Sequence, residues 1–202
     1  MASRGDRAVV GLGLGFFGLV LLDHLETQRR IRERERARRR EQTRGILQSF
    51  VARASEYDAR MRLALATPVV YDQSLREAVR RDPWSFIGAV TAWVQREVTW
   101  TPDEVTSGVS EYWQSPELTL ATRRGDCEDM ALLALRLFQR AGLQDFRIVV
   151  GVWNEGGHAW LETPDGLFAD PVRGIVVRGR PDGYEPALML GGPEPMYWPV
   201  AA

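Results

Sequence analysis

The sequence of 202 residues contains little of what several classes of protein need. It has one cysteine, Cys127, so it forms no internal disulfide, which excludes a small disulfide-stabilised scaffold. It has two histidines, His24 and His158, so histidine chemistry has only two candidates. It has no lysine, since all 26 basic residues are arginine, and such a bias can reflect genomic base composition. Abundant arginine alone therefore says little about partners.

The charge is nearly balanced, with a formal net charge of −1, so the protein as a whole does not attract nucleic acid electrostatically. Hydrophobic residues make up 45% of the chain, which is ample for a buried core. This composition excludes a disordered chain, a collagen-like repeat and a protein with many membrane spans. The length predicts one domain of ordinary size with an appendage.

An uncharged run at residues 8–22, AVVGLGLGFFGLVLL, follows Arg4 and Arg7. Its length lies between that of a core helix and that of a comfortable membrane span. Charged sequence follows it without a small-residue cleavage site, which disfavours a signal peptide. We expect residues 1–22 to be an uncleaved membrane anchor, and burial of this segment in a larger assembly is the alternative.

Residues 23–62 are predicted to form an Arg/Glu-rich helix that serves as a linker. Nine arginines lie between residues 29 and 44, against two before residue 8. The positive-inside rule therefore predicts a cytoplasmic body, with the periplasm as the alternative. The basic helix also suits an anionic membrane surface, whereas nucleic acid is disfavoured because no aromatic residues are interleaved with the arginines.

Helical patterns precede strand patterns in the rest of the chain, which predicts an α+β fold. The clearest helix begins at Cys127 and ends before Gly142. Strand patterns follow at residues 146–153, 157–162 and 167–170, and a turn at 163–166 joins the last two as a hairpin. We therefore predict a helix packed on an antiparallel sheet in a domain of residues 63–182, and a Pro-rich tail, 183–202, on its surface.

Three residues of this domain form a candidate thiol triad. Cys127 lies in the first turn of the buried helix, where the helix dipole favours a thiolate. His158 lies on a strand, and the hairpin returns Asp170 to its vicinity, directly or on the cross-strand diagonal. A nucleophile, a base and a carboxylate that orients the base make such a triad. The alternatives remain an inert cysteine, a structural histidine, Asp126 as an N-cap and Asp129 as a first-turn acid that complements the helix dipole.

Four motifs together resemble the bacterial transglutaminase-like cysteine proteinases. These are EYWQSPE at 111–117, RGDCEDMA at 124–131, GHAW at 157–160 and ADP at 169–171. The resemblance implies a papain-like core and thiol acyl chemistry by Cys127, His158 and Asp170, acting on a protein or peptide through a thioester. The backbone N–H of Cys127 is expected in the oxyanion hole, with a side-chain donor from Trp113 or Gln114.

The acidic neighbours of Cys127 are unfavourable for a thiolate, because negative charge raises the pKa of a thiol. No cofactor is required by the chemistry, but Ca²⁺ bound by Asp126 and Glu128 would offset this charge. Some members of the resembling family use the acids beside the cysteine in this way.

Three other functions stay open at the level of sequence. A second amine could capture the thioester, which gives protein cross-linking instead of hydrolysis. The fold could serve as a binding module with an unreactive Cys127. The chain could also be a structural component of an assembly, such as a virion, in which the apolar N-terminus and the arginine helix matter most.

Overall fold

A computed structural model describes the backbone of residues 4–199 and the side chains of residues 24–199. The chain divides into two units, residues 1–42 and residues 43–202. The described backbone of the first unit is helical, as part of α1 (Arg4–Ala52). The side chains of the predicted anchor, residues 8–22, lie outside the described residues. In the part of the chain that is described, no helix has both the length and the apolar character needed to cross a bilayer.

The predicted order of helices before the main sheet is confirmed. The helices after α1 are α2 (Ala54–Ala64), α3 (Gln73–Arg81), α4 (Pro83–Glu97), α5 (Asp103–Thr106), α6 (Pro116–Thr122) and α7 (Cys127–Arg140). The strands are β1 (Thr99–Trp100), β2 (Arg124–Gly125), β3 (Arg147–Trp153), β4 (Gly156–Glu162), β5 (Leu167–Asp170), β6 (Ile175–Arg178), β7 (Tyr184–Leu190) and β8 (Met196–Tyr197).

The main sheet is antiparallel, with the strand order β6-β5-β4-β3-β7-β8. Side chains alternate between the two faces of this sheet. Both faces are apolar. Ala159 and Leu161 face the main core, whereas Trp160 joins an aromatic cluster with Phe168 and Tyr184 on the other face. The hairpin between β4 and β5 turns at Gly166, whose φ of +83° favours glycine.

Helix α7 is the centre of the main core. Its bounds agree with the predicted helix, but its burial is wider than one face. Leu132, Leu133 and Leu135 are buried as well, because α4 and α6 pack on α7 in addition to the strands β3 and β4. A helix enclosed in this way holds its first residue, Cys127, in a rigid position.

The larger compact unit begins at Thr43, earlier than the predicted domain boundary at residue 63. The helix expected over residues 23–62 is interrupted at Arg53, between α1 and α2. From Thr43 onward side chains are buried in the core, among them Leu47 and Tyr57. Only residues before 43 therefore behave as a separate appendage.

The predicted surface tail is also part of the fold. Tyr184–Leu190 form β7, which pairs with β3 between the centre of the sheet and β8. Ala187, Leu188 and Leu190 are fully buried. The prolines and glycines of residues 183–202 indicated irregular structure, but the continuous apolar run PALML is typical of a strand that is buried on both faces.

Candidate active site

Cys127 and His158 line one cleft with a volume of about 210 Å³. The half-buried thiol of Cys127 lies against β4, where the backbone N–H of Ala159 donates to its sulfur. His158 is the residue before Ala159 and is itself buried. The other lining residues are mostly aromatic or acidic: Phe50, Tyr57, Trp100, Glu111, Trp113, Asp126, Glu128, Val150 and Gly157.

His158 is hydrogen-bonded to Asp170, with 2.9 Å between Nε2 and Oδ2. The strand register pairs Leu161 with Ala169, so Asp170 reaches His158 along the cross-strand diagonal. The bond occupies Nε2 and leaves Nδ1 as the second functional nitrogen of the ring. The strands thus bring together two of the three residues of the predicted triad by a direct contact, and Cys127 shares their cleft.

The carboxylate of Asp170 is fully buried and accepts four hydrogen bonds. Its Oδ1 accepts from the backbone N–H groups of Val172, at 2.9 Å, and Arg173, at 3.2 Å. Its Oδ2 accepts from Tyr184 Oη as well as from His158. Burial acts to raise the pKa of Asp170, but these bonds to the ionised form outweigh it and lower the pKa below its ordinary value.

The thiol of Cys127 is surrounded by negative charge. Its sulfur donates to Glu128 Oε2 over 3.1 Å. Burial, followed by the charges of Glu128 and Asp126, raises the pKa of the thiol well above its ordinary value. The carboxylates therefore oppose thiolate formation, as the acidic residues beside Cys127 in the sequence predict.

Four acidic residues form an acidic cluster beside Cys127, namely Asp103, Asp126, Glu128 and Asp129. Asp126 occupies the cap position of α7 but makes no capping hydrogen bond, so its helix-capping interpretation fails. The Oδ1 atoms of Asp103 and Asp126 are buried without a hydrogen-bond partner. Burial, as the first cause, raises the pKa of Asp126 and Glu128 and raises that of Asp129 to about 7.

The acidic cluster suits a hard cation. Ligand atoms of Asp126, Cys127 and Glu128 lie within 4.8 Å of one another, and so do those of Asp103, Asp126 and Asp129. Buried carboxylate oxygens without a hydrogen-bond partner, together with raised carboxyl pKa values, fit residues that bind a positive ion. The residues present therefore fit Ca²⁺, with Asp126 common to both groups.

The structure does not bring either predicted oxyanion donor to the thiol. The one indole N–H of Trp113 donates to Glu111 Oε1 at 3.0 Å, although the ring lines the cleft. The amide of Gln114 donates to Asp129 Oδ2 and to the carbonyl of Arg124. Because both donors are engaged elsewhere, the Cys127 backbone N–H is the candidate that stands.

Several site residues were not identified from the sequence. Phe50 and Tyr57 lie within the helix predicted over residues 23–62, and their place in the cleft depends on the packing of α1 and α2. Asp103 belongs to none of the four motifs. Its segment lies beside residues 124–126 because β1 pairs with β2. Tyr184 lay in the predicted tail. Glu111 was quoted within the EYWQSPE motif, but nothing in its spacing indicated a contact with Trp113.

Comparisons with known proteins agree with this fold. Residues 67–164 match the model of the bacterial transglutaminase-like cysteine proteinase family. Calcium-bound LapG of Legionella pneumophila is similar in fold, with a TM-score of 0.50 and 18% identity over 69% of this chain and 86% of that one. EGTA-treated LapG gives a TM-score of 0.51 and 18% identity over 70% and 84%.

No curated protein matches the sequence significantly. The family match ends before Asp170, so the role of that residue rests on its contacts with His158. The likeness to LapG supports the fold that these contacts require. Residues 67–164 therefore match the bacterial transglutaminase-like cysteine proteinase family, and this match supports a cysteine peptidase.

Proposed function

We propose that Cys127, His158 and Asp170 are the catalytic triad of this peptidase. The observation that carries the proposal is the buried His158–Asp170 hydrogen bond in the cleft that also holds the single cysteine of the chain. Asp170 holds the ring so that a proton on Nε2 points to the carboxylate, and Nδ1 then serves as the base.

The reaction begins when His158 takes the proton of Cys127 and the sulfur attacks the carbonyl carbon of the substrate amide. The backbone N–H of Cys127, at the start of α7, donates to the oxygen that becomes negative. The protonated His158 gives its proton to the amine, which leaves as the C–N bond breaks. A water molecule, deprotonated by His158, then attacks the thioester and releases a carboxylic acid and the free thiol.

Alkylation of Cys127 by iodoacetamide in the full chain tests the triad without a known substrate. We expect wild-type protein with Ca²⁺ to react at pH 7 about 30-fold faster than an ordinary thiol, because a thiol of pKa 8.5 is only a few per cent ionised there. His158→Ala should lose this gain, whereas His24→Ala should keep it. Equal rates in all three proteins, with and without Ca²⁺, would contradict the triad.

We further propose that Asp103, Asp126, Glu128 and Asp129 hold a calcium ion. The support is the fit of the acidic cluster, together with the similarity in fold to a LapG structure that is calcium-bound. When bound, calcium supplies positive charge that offsets the carboxylates raising the pKa of Cys127.

Thermal unfolding reports calcium binding independently of activity. Ca²⁺ added to EDTA-treated protein should raise Tm, since a ligand at 100 times its Kd stabilises the folded state by about 2.7 kcal/mol. Mg²⁺ at the same concentration controls for ionic strength. An unchanged Tm with Ca²⁺ would contradict the site.

Membrane tethering through residues 8–22 remains a proposal that the sequence alone supports. The uncharged run and the arginines after it suit an N-terminal anchor with a cytoplasmic body, and a periplasmic body is the alternative. We propose hydrolysis of a protein or peptide as the activity, because residues 67–164 match the model of a proteinase family.

A further inference from the structure

We infer that Tyr184 and Arg173 are positioning residues that hold the Asp170 carboxylate in the orientation His158 needs. The inference rests on the proposed triad and extends it to two residues outside the segment that matches the family. Neither side chain lines the cleft, so both residues act through Asp170.

Two backbone N–H groups hold only the Oδ1 atom of Asp170. The Oδ2 atom, which His158 contacts, is held by the hydroxyl of Tyr184. Among the side chains that the structure describes, His158 is the only other one hydrogen-bonded to Oδ2. A carboxylate whose two oxygens both accept hydrogen bonds from other groups is already oriented toward the histidine before the reaction. A carboxylate held at one oxygen is less well preorganised.

Arg173 fixes the direction of the Tyr184 hydroxyl. Its Nη1 donates to Tyr184 Oη over 3.2 Å, so the oxygen accepts from the guanidinium and its own proton is directed to Asp170. The guanidinium lies 4.5 Å from the centroid of the Trp153 ring, which restrains the arginine in turn. The result is a directed series of contacts from Arg173 through Tyr184 and Asp170 to His158.

Tyr184 stays a neutral donor throughout the working pH range. Burial, followed by its hydrogen bond to Asp170, raises the pKa of the phenol further above its ordinary value. The ring is nearly buried and packs on Trp153 and Trp160. The strand register places Tyr184 opposite Trp153, so the pairing of β7 with β3 sets the position of the hydroxyl.

The tautomer of His158, measured by ¹⁵N NMR of the full chain, tests this role. With only two histidines in the chain, His24 serves as an internal reference in the same spectrum. In wild-type protein, at a pH where the imidazole of His158 is neutral, we expect the ring to carry its proton on Nε2. In Tyr184→Phe the Nδ1–H tautomer should rise at least about fivefold, which corresponds to the loss of one ordinary hydrogen bond. Tyr197→Phe, the same change at an exposed tyrosine, should leave the tautomer of His158 unaltered.

Variants at Arg173 keep the test valid if Tyr184→Phe does not fold. Arg173 is exposed, so its substitution leaves the core intact. Arg173→Met should shift the tautomer in the same direction as Tyr184→Phe but less, and Arg173→Lys, which keeps a donor, should restore most of the wild-type population. A purely structural role would lower Tm in these variants without moving the tautomer, and that result would overturn the inference.

Failure of the triad would look different from failure of this inference. If Tyr184→Phe moves the tautomer but wild-type Cys127 is inert to iodoacetamide, positioning stands and the proposed triad fails. If Cys127 is reactive and depends on His158, but neither Tyr184→Phe nor Arg173→Met changes the tautomer or the alkylation rate, the triad stands and the positioning role fails.

Discussion

At the scale of single residues, the acidic cluster lowers the stability of the folded protein when its carboxyl groups ionise. Asp126 carries a buried oxygen without a partner, and burial with the charge of Glu128 raises its carboxyl pKa. A group arranged in this way destabilises the folded state whenever it is forced to ionise. The described contacts of Asp126 do not offset this loss of stability. Such a destabilising group is expected at a functional site.

The cluster makes stability depend on pH. Its carboxyl groups have raised pKa values, to about 7 for Asp129, so between about pH 4 and pH 7 the folded protein binds more protons than the unfolded chain. The contribution to stability is fully present below the ordinary carboxyl pKa and is lost as the pH rises through 7. In EDTA, we expect the Tm of the wild-type protein to fall from pH 5 to pH 8.

Asp126→Asn should reverse part of this loss. Removing one pKa unit of unfavourable ionisation is worth about 1.4 kcal/mol, which raises Tm by roughly 3–6 °C at pH 8 in EDTA. With Ca²⁺ the sign should invert, because the variant lacks a ligand. Asp182→Asn, at an exposed carboxylate, is the control and should show neither effect. The same Tm for wild type and Asp126→Asn in both media would contradict the assignment of Asp126.

At the scale of elements, the strand β7 connects stability with the site. It pairs along β3, contributes buried residues to the main core and presents Tyr184 to Asp170 from the other face of the sheet. A strand in that place cannot be removed without opening both apolar faces of the sheet. The segment is therefore a structural part of the peptidase unit.

Leu188→Ala measures the contribution of β7 to the core. Leu188 is fully buried, so we expect a loss of about 2–5 kcal/mol in the free energy of unfolding. Met196→Ala, in the paired strand β8, changes a side chain that is 61% exposed and should cost little. Urea unfolding compares the two variants. Equal small costs would mean that residues 183–202 are a surface tail, as the composition suggested.

At the scale of the whole molecule, the unit that begins at Thr43 contains every described residue of the site. Thr43, Leu47 and Phe50 come from the end of α1, and Phe50 lines the cleft close to Gly157. A Cβ at Gly157 would lie 2.9 Å from the Phe50 ring, so that glycine allows the close contact. A soluble peptidase should therefore start at residue 43, since a later start removes core residues.

Truncation separates tethering from catalysis. Residues 43–202 should keep the Tm and the Cys127 reactivity of the full chain, and only the full chain should sediment with anionic lipid vesicles. Residues 53–202, which lack Leu47 and Phe50, should unfold at a lower temperature. Sedimentation of both the full chain and residues 43–202, or of neither, would contradict an anchor at residues 8–22.

The sequence alone determined the local features, because they depend on periodicity and turn chemistry within short segments. The helix that begins at Cys127 and the β4–β5 hairpin follow from such patterns. The same patterns placed His158 and Asp170 on neighbouring strands and left only their register open, which the sheet resolves as the diagonal.

Tertiary structure decided the features that depend on contacts between distant segments. Asp103 joins the acidic cluster through the β1–β2 pairing, and Gln114 supports Asp129 instead of the thiol. Tyr184 reaches Asp170 only because β7 returns to pair with β3. No local pattern encodes such meetings, since they arise from how burial of the whole core arranges the strands and helices.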